Sequence, residues 1–334
     1  MSRGAPLAAA PFKIWQEAGL DPEAEAILAR AAELIGPRRA TDSTDAQAGI
    51  EWADGAIVGA WVTWNAALFS RASRLKVVTR TGIGYDNVSA AEATACGVCV
   101  LNTPDAPTES TAEFTIALML CLARKLSLAE RRFRAEGWVS ALELVGFDLA
   151  GKTLGLAGLG RIGTRVAEIA RALRMRVIGC DPIITAETAK ARGAELVPDL
   201  PSLLSASDVV SLHLPLSPQN RGLIGTRELA LMKRGAVLIN AARGPIVDQS
   251  ALLTALQSGQ LAGAALDVWD PEPAQADNPF LKLDNVVASP HIAAATVEGR
   301  RRSHLAAAET TLMVLRDERP DNLVNPEVWE RRRR

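Results

Sequence analysis

The stretch Gly158-Leu159-Gly160-Arg161-Ile162-Gly163 constrains the fold of this chain more than any other. It follows an apolar run, TLGLAG (residues 153–158), and leads into an amphipathic one, residues 164–173. In a strand, turn and helix of this kind each glycine has its own reason to be present. The first permits the tight turn, the second lets the backbone approach a diphosphate, and the third lets the helix pack close to the strand. The helix start adds unpaired N–H groups and the positive end of a dipole, both of which favour phosphate. About 20 residues on, the next apolar run ends at Asp181, where a carboxylate can accept hydrogen bonds from both hydroxyls of a ribose. A dinucleotide site is expected at Gly158, Gly160, Arg161, Ile162, Gly163 and Asp181. The bland alternative is Asp181 as a helix cap in a sugar-nucleotide fold, which keeps the nucleotide and loses the redox chemistry. The charge on Asp181 repels a 2′-phosphate, and the following Pro182-Ile183-Ile184 brings no cation to offset it, so NAD is expected over NADP.

Around this unit, short apolar runs alternate with longer amphipathic ones, the pattern of a doubly wound α/β fold with a parallel sheet covered on both faces. Six strands are expected, at residues 153–158, 176–181, 208–214, 236–241, 262–268 and 286–289. Upstream, weaker runs at residues 32–35, 55–59, 75–79 and 98–101, separated by alanine-rich stretches such as residues 22–33, imply a second, smaller α/β unit. Residues 102–111, NTPDAPTEST, read as a hinge before a helix over residues 111–124. A last helix over roughly residues 296–316 follows the final strand. Two domains are natural for 334 residues.

Composition removes several classes of partner. Lys and Arg number 37 against 38 Asp and Glu, so no global field recruits nucleic acid or an anionic membrane. No apolar run reaches the roughly 18 residues of a membrane helix, and MSRGAPLAAAPFK lacks a signal-peptide core, which predicts a cytoplasmic address. Cys96, Cys99, Cys121 and Cys180 are too few for a disulfide framework. Cys96 and Cys99 form a CxxC, but zinc needs two further ligands and a redox pair should open a helix, whereas this one runs into VCVLN. They read as buried structural thiols, and no metal is expected. The basic end, Arg331 to Arg334, reads as a solvated tail.

Three histidines are present. His291 stands at the end of the last apolar strand, in SPHIA. Glu272 lies just past the preceding strand, in DVWDPEP, and Arg243 follows AVLINAA. Three functional side chains therefore emerge from strand ends on one edge of the sheet, the edge where ligands bind in open α/β folds. His213 reads as packing or as a backbone contact in the cofactor site, and His304, on the last helix, as structural. Trp269 is equally read as core or as substrate wall.

Taken in order, GLGRIG with Asp181, SLHLPLSPQNRGLIG, INAARGPIVDQSAL, ALDVWDPEP and SPHIAAAT, preceded by TGIGYDNVS, GVCVLNTP and TAEFTIALML, resemble the D-isomer-specific 2-hydroxyacid dehydrogenase family. That family includes glyoxylate and hydroxypyruvate reductases and phosphoglycerate dehydrogenases. The likeness spans roughly residues 75–326, and the first 70 or so match loosely. It implies that Arg243 binds the substrate carboxylate and polarises its carbonyl, that His291 is the acid/base, and that Glu272 orients the histidine and raises its pKa. It further implies that Asp267 holds the nicotinamide carboxamide and that Thr111, His213, Pro215 and Ala241 complete the cofactor site. Gly82, Ile83 and Gly84 would offer N–H groups to the substrate carboxylate across a cleft. The implied fold is a Rossmann-type domain, residues 108–290, inserted into a smaller flavodoxin-like substrate domain made of residues 1–107 and 291–334. Hinge closure and homodimerisation through residues 112–150 are family habits.

The chain departs from the family in its substrate loop. Where many relatives carry Arg and Ser, this sequence reads Gly59-Ala60-Trp61-Val62-Thr63-Trp64-Asn65, which has no cation. Its two tryptophans suit an apolar wall or plain packing. A phosphorylated substrate is thereby disfavoured, although Arg80 is similar to the phosphoglycerate enzymes. The lysine of phosphite dehydrogenases is replaced by Ile83, and the Gln of formate dehydrogenases by Glu272. The expected activity is NAD-dependent interconversion of a small 2-keto acid, such as glyoxylate or hydroxypyruvate, with its D-2-hydroxy acid. The alternatives are 3-phosphoglycerate oxidation and, from another class, an NAD(H)-sensing role like that of co-repressors similar to this family.

Overall fold

The computed structural model describes residues 12–37 and 47–334. The chain forms two compact units, one built from the described residues up to Pro107 together with Thr296–Arg334, the other from Thr108–Ala295.

The second unit holds seven parallel strands: β6 (Thr153–Ala157), β7 (Arg176–Cys180), β8 (Glu195–Leu196), β9 (Val209–Leu212), β10 (Ala236–Asn240), β11 (Leu261–Leu266) and β12 (Val286–Ala288). The sheet order is β12-β11-β10-β9-β6-β7-β8. The chain starts in the middle at β6, winds one way through β7 and β8, then crosses back to β9 and on to the other edge. The reversal between β6 and β9 is a topological switch point, outside which a crevice opens at the carboxyl ends. Alternate residues feed opposite cores, with Leu154, Leu156, Val209, Val237 and Ile239 on one face and Val210, Leu212 and Leu238 on the other. Because helices cover both faces, these strands are apolar throughout instead of alternating with polar residues. The six expected strands are all present. The seventh, β8, is a two-residue edge strand too short to leave a hydrophobic signature.

The first unit has a parallel sheet of β1 (Phe12–Gln16), β2 (Ala32–Ile35), β3 (Gly55–Val58), β4 (Val77–Arg80) and β5 (Cys99–Asn102), in the order β2-β1-β3-β4-β5. Sequence reading gives four of these and misses β1, which lies inside the sheet. FKIWQ contains Lys13 and Gln16, so no apolar run marks it, yet Ile14, Trp15 and Gln16 are fully buried. The helix Val297–Leu315 packs on this sheet, with Ala307, Ala308 and Leu312 against Ile14, Ile57, Val77 and Leu101. A hydrogen bond of 2.7 Å joins the Thr79 and Thr311 hydroxyls. His304 serves this unit as expected, its Nδ1 accepting from the Asp21 N–H at 2.8 Å.

The basic end is not a solvated tail. Arg332 is buried, its guanidinium lying 3.6 Å from the Trp329 ring centre and paired with Asp317. Arg333 donates to the carbonyls of Ala72 (2.7 Å), Leu75 (3.2 Å) and Phe69 (3.4 Å), in and just after the helix Ala66–Arg71. The charge run misleads because stacking on Trp329, backbone carbonyls and a single carboxylate, Asp317, satisfy Arg332 and Arg333 inside the fold.

All four cysteines are free thiols. Only Cys99 is fully buried, which pushes its thiol up to about 11. Among the described residues no three His, Cys, Asp or Glu side chains gather as metal ligands, and no helix is long and apolar enough to cross a membrane.

Candidate active site

The glycine turn leaves β6 and enters the helix Arg161–Ala172. Gly158 has φ +95°, and a Cβ there would come 2.5 Å from the His213 carbonyl oxygen. A Cβ on Gly163 would run into the carbonyl of Gly158 itself. Both positions require glycine for the protein's own packing. Gly160 differs, having an ordinary φ of −68° and open space where its Cβ would sit. Nothing in the fold requires glycine at 160, so a residue without a side chain there fits a ligand that approaches the backbone. On this test the turn fits a bound dinucleotide. The Asp181 carboxylate accepts from the Leu159 N–H at 3.0 Å and the Ile183 N–H at 3.2 Å, which holds it beside the turn. Sequence reading missed Arg192, whose guanidinium donates to the Leu159 carbonyl at 2.5 Å and braces the turn.

His213 follows β9, its N–H donating to the Ala157 carbonyl at 2.8 Å and its Nε2 lying 3.0 Å from the Ser211 hydroxyl. Burial lowers its pKa to about 4, so the ring is neutral at pH 7. Its backbone carbonyl against Gly158 makes it part of the turn's packing. Pro215 is exposed and Ala241 half-buried at the ends of β9 and β10. Thr111 is buried in the first turns of the helix Thr108–Ala123, which Glu109 joins to Arg165 through a bidentate pair of 2.8 and 2.7 Å.

The acid/base candidates leave neighbouring strands. Past β12, His291 and Glu272 meet through Nδ1 and Oε1, and both are partly exposed. Asp267, at the end of β11, is fully buried and organises the histidine segment. Its Oδ1 accepts from the Ser289 hydroxyl (2.6 Å) and the Ile292 N–H (2.9 Å), its Oδ2 from the Ala293 N–H (2.9 Å). Its carbonyl accepts the His291 N–H at 2.8 Å. A carboxylate has about four lone-pair directions, so one remains beyond these three donors for the carboxamide contact the family implies.

Arg243 sits on the turn after β10. Asn240, fully buried, fixes that turn by accepting the Ala242 N–H (3.0 Å) and donating to the Arg243 carbonyl (2.9 Å). Gly244, next to the arginine, touches the backbone of Trp269, which a Cβ would overlap. The Arg243 turn and the segment leading to Glu272 are thus packed backbone to backbone. Trp269 belongs to the core, buried against Phe280 and donating to the Ser289 carbonyl at 3.0 Å. Sequence reading missed Asn240, Gly244 and Ser289 as positioning residues, although an Asn closing a strand is a signal for such a turn.

In the first unit, Gly82 has φ +147° and its N–H donates to the Thr103 hydroxyl at 2.8 Å, which engages the group the family would direct at a substrate. The Ile83 carbonyl accepts from Asn102 at 2.7 Å.

Residues 116–293 match the family described as D-isomer specific 2-hydroxyacid dehydrogenase, NAD binding domain. The chain belongs to that family. It is 44% identical over 267 residues to a glyoxylate reductase of Korarchaeum cryptofilum, covering 79% of this chain and 80% of that protein. It is 43% identical over 258 residues to a D-3-phosphoglycerate dehydrogenase of Methanocaldococcus jannaschii, covering 77% of this chain but only 49% of that relative, about half its length. Among solved structures it is similar to the TT0316 protein of Thermus thermophilus, with a TM-score of 0.85, 36% identity, and 93% and 99% of the two chains covered. Family membership makes NAD the cofactor.

Proposed function

We propose that this family member reduces a small 2-keto acid to the D-2-hydroxy acid, glyoxylate and hydroxypyruvate being the first candidates, and runs the reverse oxidation. The observation that carries the reading is the contact of His291 Nδ1 with the Glu272 carboxylate at the strand edge that also bears Arg243. With Nδ1 held by the carboxylate, Nε2 is the ring atom left to give a proton to the substrate's carbonyl oxygen and to take it back in oxidation. Arg243 binds the substrate carboxylate through its planar fork of donors and draws electron density from the adjacent carbonyl. Bound NADH supplies the hydride. Gly158, Gly160, Arg161, Ile162 and Gly163 hold its diphosphate, Asp181 its ribose, Asp267 its carboxamide, with Thr111, His213, Pro215 and Ala241 around them.

A homodimer accords with the surface of the second unit, where Phe133, Trp138, Leu142 and Val145 are exposed within one short stretch. The test of the reaction is NADH oxidation with glyoxylate, hydroxypyruvate, pyruvate, phenylpyruvate and 3-phosphohydroxypyruvate, with NADPH in parallel. Turnover of an unphosphorylated acid with NADH is expected. A preference for the phosphorylated acid would assign 3-phosphoglycerate oxidation instead, and NADH binding without any turnover would refute the reaction.

A further inference from the structure

The amino ends of the first sheet carry a feature that the proposed chemistry does not use. There β3 begins at Gly55 and β4 at Val77. A cavity of about 500 Å³ opens beside them, lined by Asp54, Ser73, Arg74, Lys76, Arg333 and Arg334. All six belong to the first unit, whereas Arg243, His291 and the glycine turn belong to the second.

Four of the six are cations and one is an acid, so a chain whose charges nearly cancel overall is unbalanced at this place. The acid is already engaged. Asp54 is buried, its Oδ2 accepting the Lys13 N–H at 2.8 Å and its Oδ1 the Arg74 guanidinium at 3.1 Å. That pair accounts for one cation. Among the described residues Lys76 and Arg333 have no carboxylate partner, and Arg334 adds a further positive charge.

These cations are held in place. The Arg333 N–H donates to the Gly97 carbonyl at 2.8 Å, and its guanidinium rests on the carbonyls of Phe69, Ala72 and Leu75. Carbonyl oxygens fix the group without neutralising it, and these three contacts leave further N–H groups of the fork unengaged. The Lys76 N–H donates to the Asp54 carbonyl at 2.8 Å, and its ammonium lies 6.0 Å from the Phe12 ring centre. Like charges gathered in one concavity repel each other, and a bound anion relieves that repulsion. A planar guanidinium with an ammonium point charge beside it is a donor set suited to phosphate. None of the lining residues is apolar, so such a site reads charge and not shape.

We propose that this concavity binds a small, multiply charged phosphate compound, at a site separate from that of the cofactor, with Lys76 and Arg333 as its principal contacts. Affinity should then follow the number of charges, with inorganic pyrophosphate above inorganic phosphate.

The probe is inorganic pyrophosphate, titrated by calorimetry into the full chain at low salt, without divalent cations and with NADH saturating. Binding with a Kd below about 1 mM is expected, weakening as salt is added. Lys76→Ala should weaken it about tenfold, the scale of one charge-assisted contact, and Lys76→Glu, which inverts the charge, should abolish it. Lys76 is only partly covered, so both variants should melt as the wild type does. Arg333→Ala should also abolish binding. If its lost carbonyl contacts unfold the first unit, the two Lys76 variants decide the question. Arg243→Ala should leave the titration unchanged. A wild type that does not bind pyrophosphate, an unchanged affinity in Lys76→Glu, or a loss of binding in Arg243→Ala would each overturn the proposal.

Discussion

At the carboxyl ends of the second sheet, side chains carry the proposed chemistry: Arg243, Glu272 and His291 leave neighbouring strands, and buried groups such as Asn240 and Asp267 fix the backbone beneath them. At the carboxyl ends of the first sheet the arrangement is inverted. There the charged group, Glu17, is buried as scaffolding that takes up backbone N–H groups, and the large side chain that faces outward is one indole, Trp61. The contrast shows two ways of using the same parallel-sheet edge. One holds groups that, on the proposed reading, act in the same way on any substrate of the class. The other holds a turn of fixed shape on a buried charge, so substitutions at the two edges should differ in what they disturb.

The largest effect is expected at the reactive edge. His291→Ala should lower kcat/KM by roughly 10³-fold for every keto acid alike, with NADH affinity within about threefold of wild type by fluorescence titration. A loss confined to one substrate would break the division of labour just drawn.

Next come the glycines, which divide by what their absent side chains would meet. Gly163→Ala should destabilise the second unit, because the methyl group runs into the Gly158 carbonyl. Gly160→Ala meets nothing in the protein, so its melting temperature should match wild type while its NADH Kd rises about tenfold or more. Unchanged NADH binding in a folded Gly160→Ala protein would remove the second glycine from the diphosphate site.

The smallest effect concerns His213. Its folded-state pKa, about 4, lies below the ordinary value of 6.5, so the folded protein resists protonating it. The stability contributed by the neutral ring is fully present above pH 6.5 and is lost as pH falls through 4. Urea midpoints of the wild type should decline between pH 6.5 and 4 more steeply than those of His213→Gln. Parallel slopes would mean the ring is solvated and does not brace the turn.

How much could be read beforehand follows the same contrast. GLGRIG, Asp181 and the three strand-end side chains were legible because each is a local pattern: a glycine at a fixed spacing, an acid closing an apolar run, a histidine just past the last strand. The six strands of more than two residues in the second sheet were legible because burial on both faces makes them continuous apolar runs. By contrast, β1 was hidden by Lys13 and Gln16, and Glu17, in QEAGLDPE, looks like any solvated acid. Its partners lie more than 40 positions away, at Gly59 and Val62, and no local pattern announces such a pairing. The tryptophan loop was legible as a departure, but which indole faces outward depended on backbone direction that only the fold supplies. Arg192 and Arg333 were missed for a related reason, since an arginine that caps a carbonyl looks in sequence like one facing water.

The placement of Arg333 on the carbonyls of Phe69, Ala72 and Leu75 bears on the order in which the protein assembles as it is made. The second unit is a single contiguous segment, Thr108–Ala295, and can close once that stretch has left the ribosome. The first unit begins earlier and finishes later, because the helix Val297–Leu315 covers its sheet and the arginines beyond it cap its loops. Until residues 296–334 emerge, the face of its sheet that holds Ile14, Ile57 and Val77 stays open to water. The nascent chain thus completes its one-segment unit before its two-segment unit.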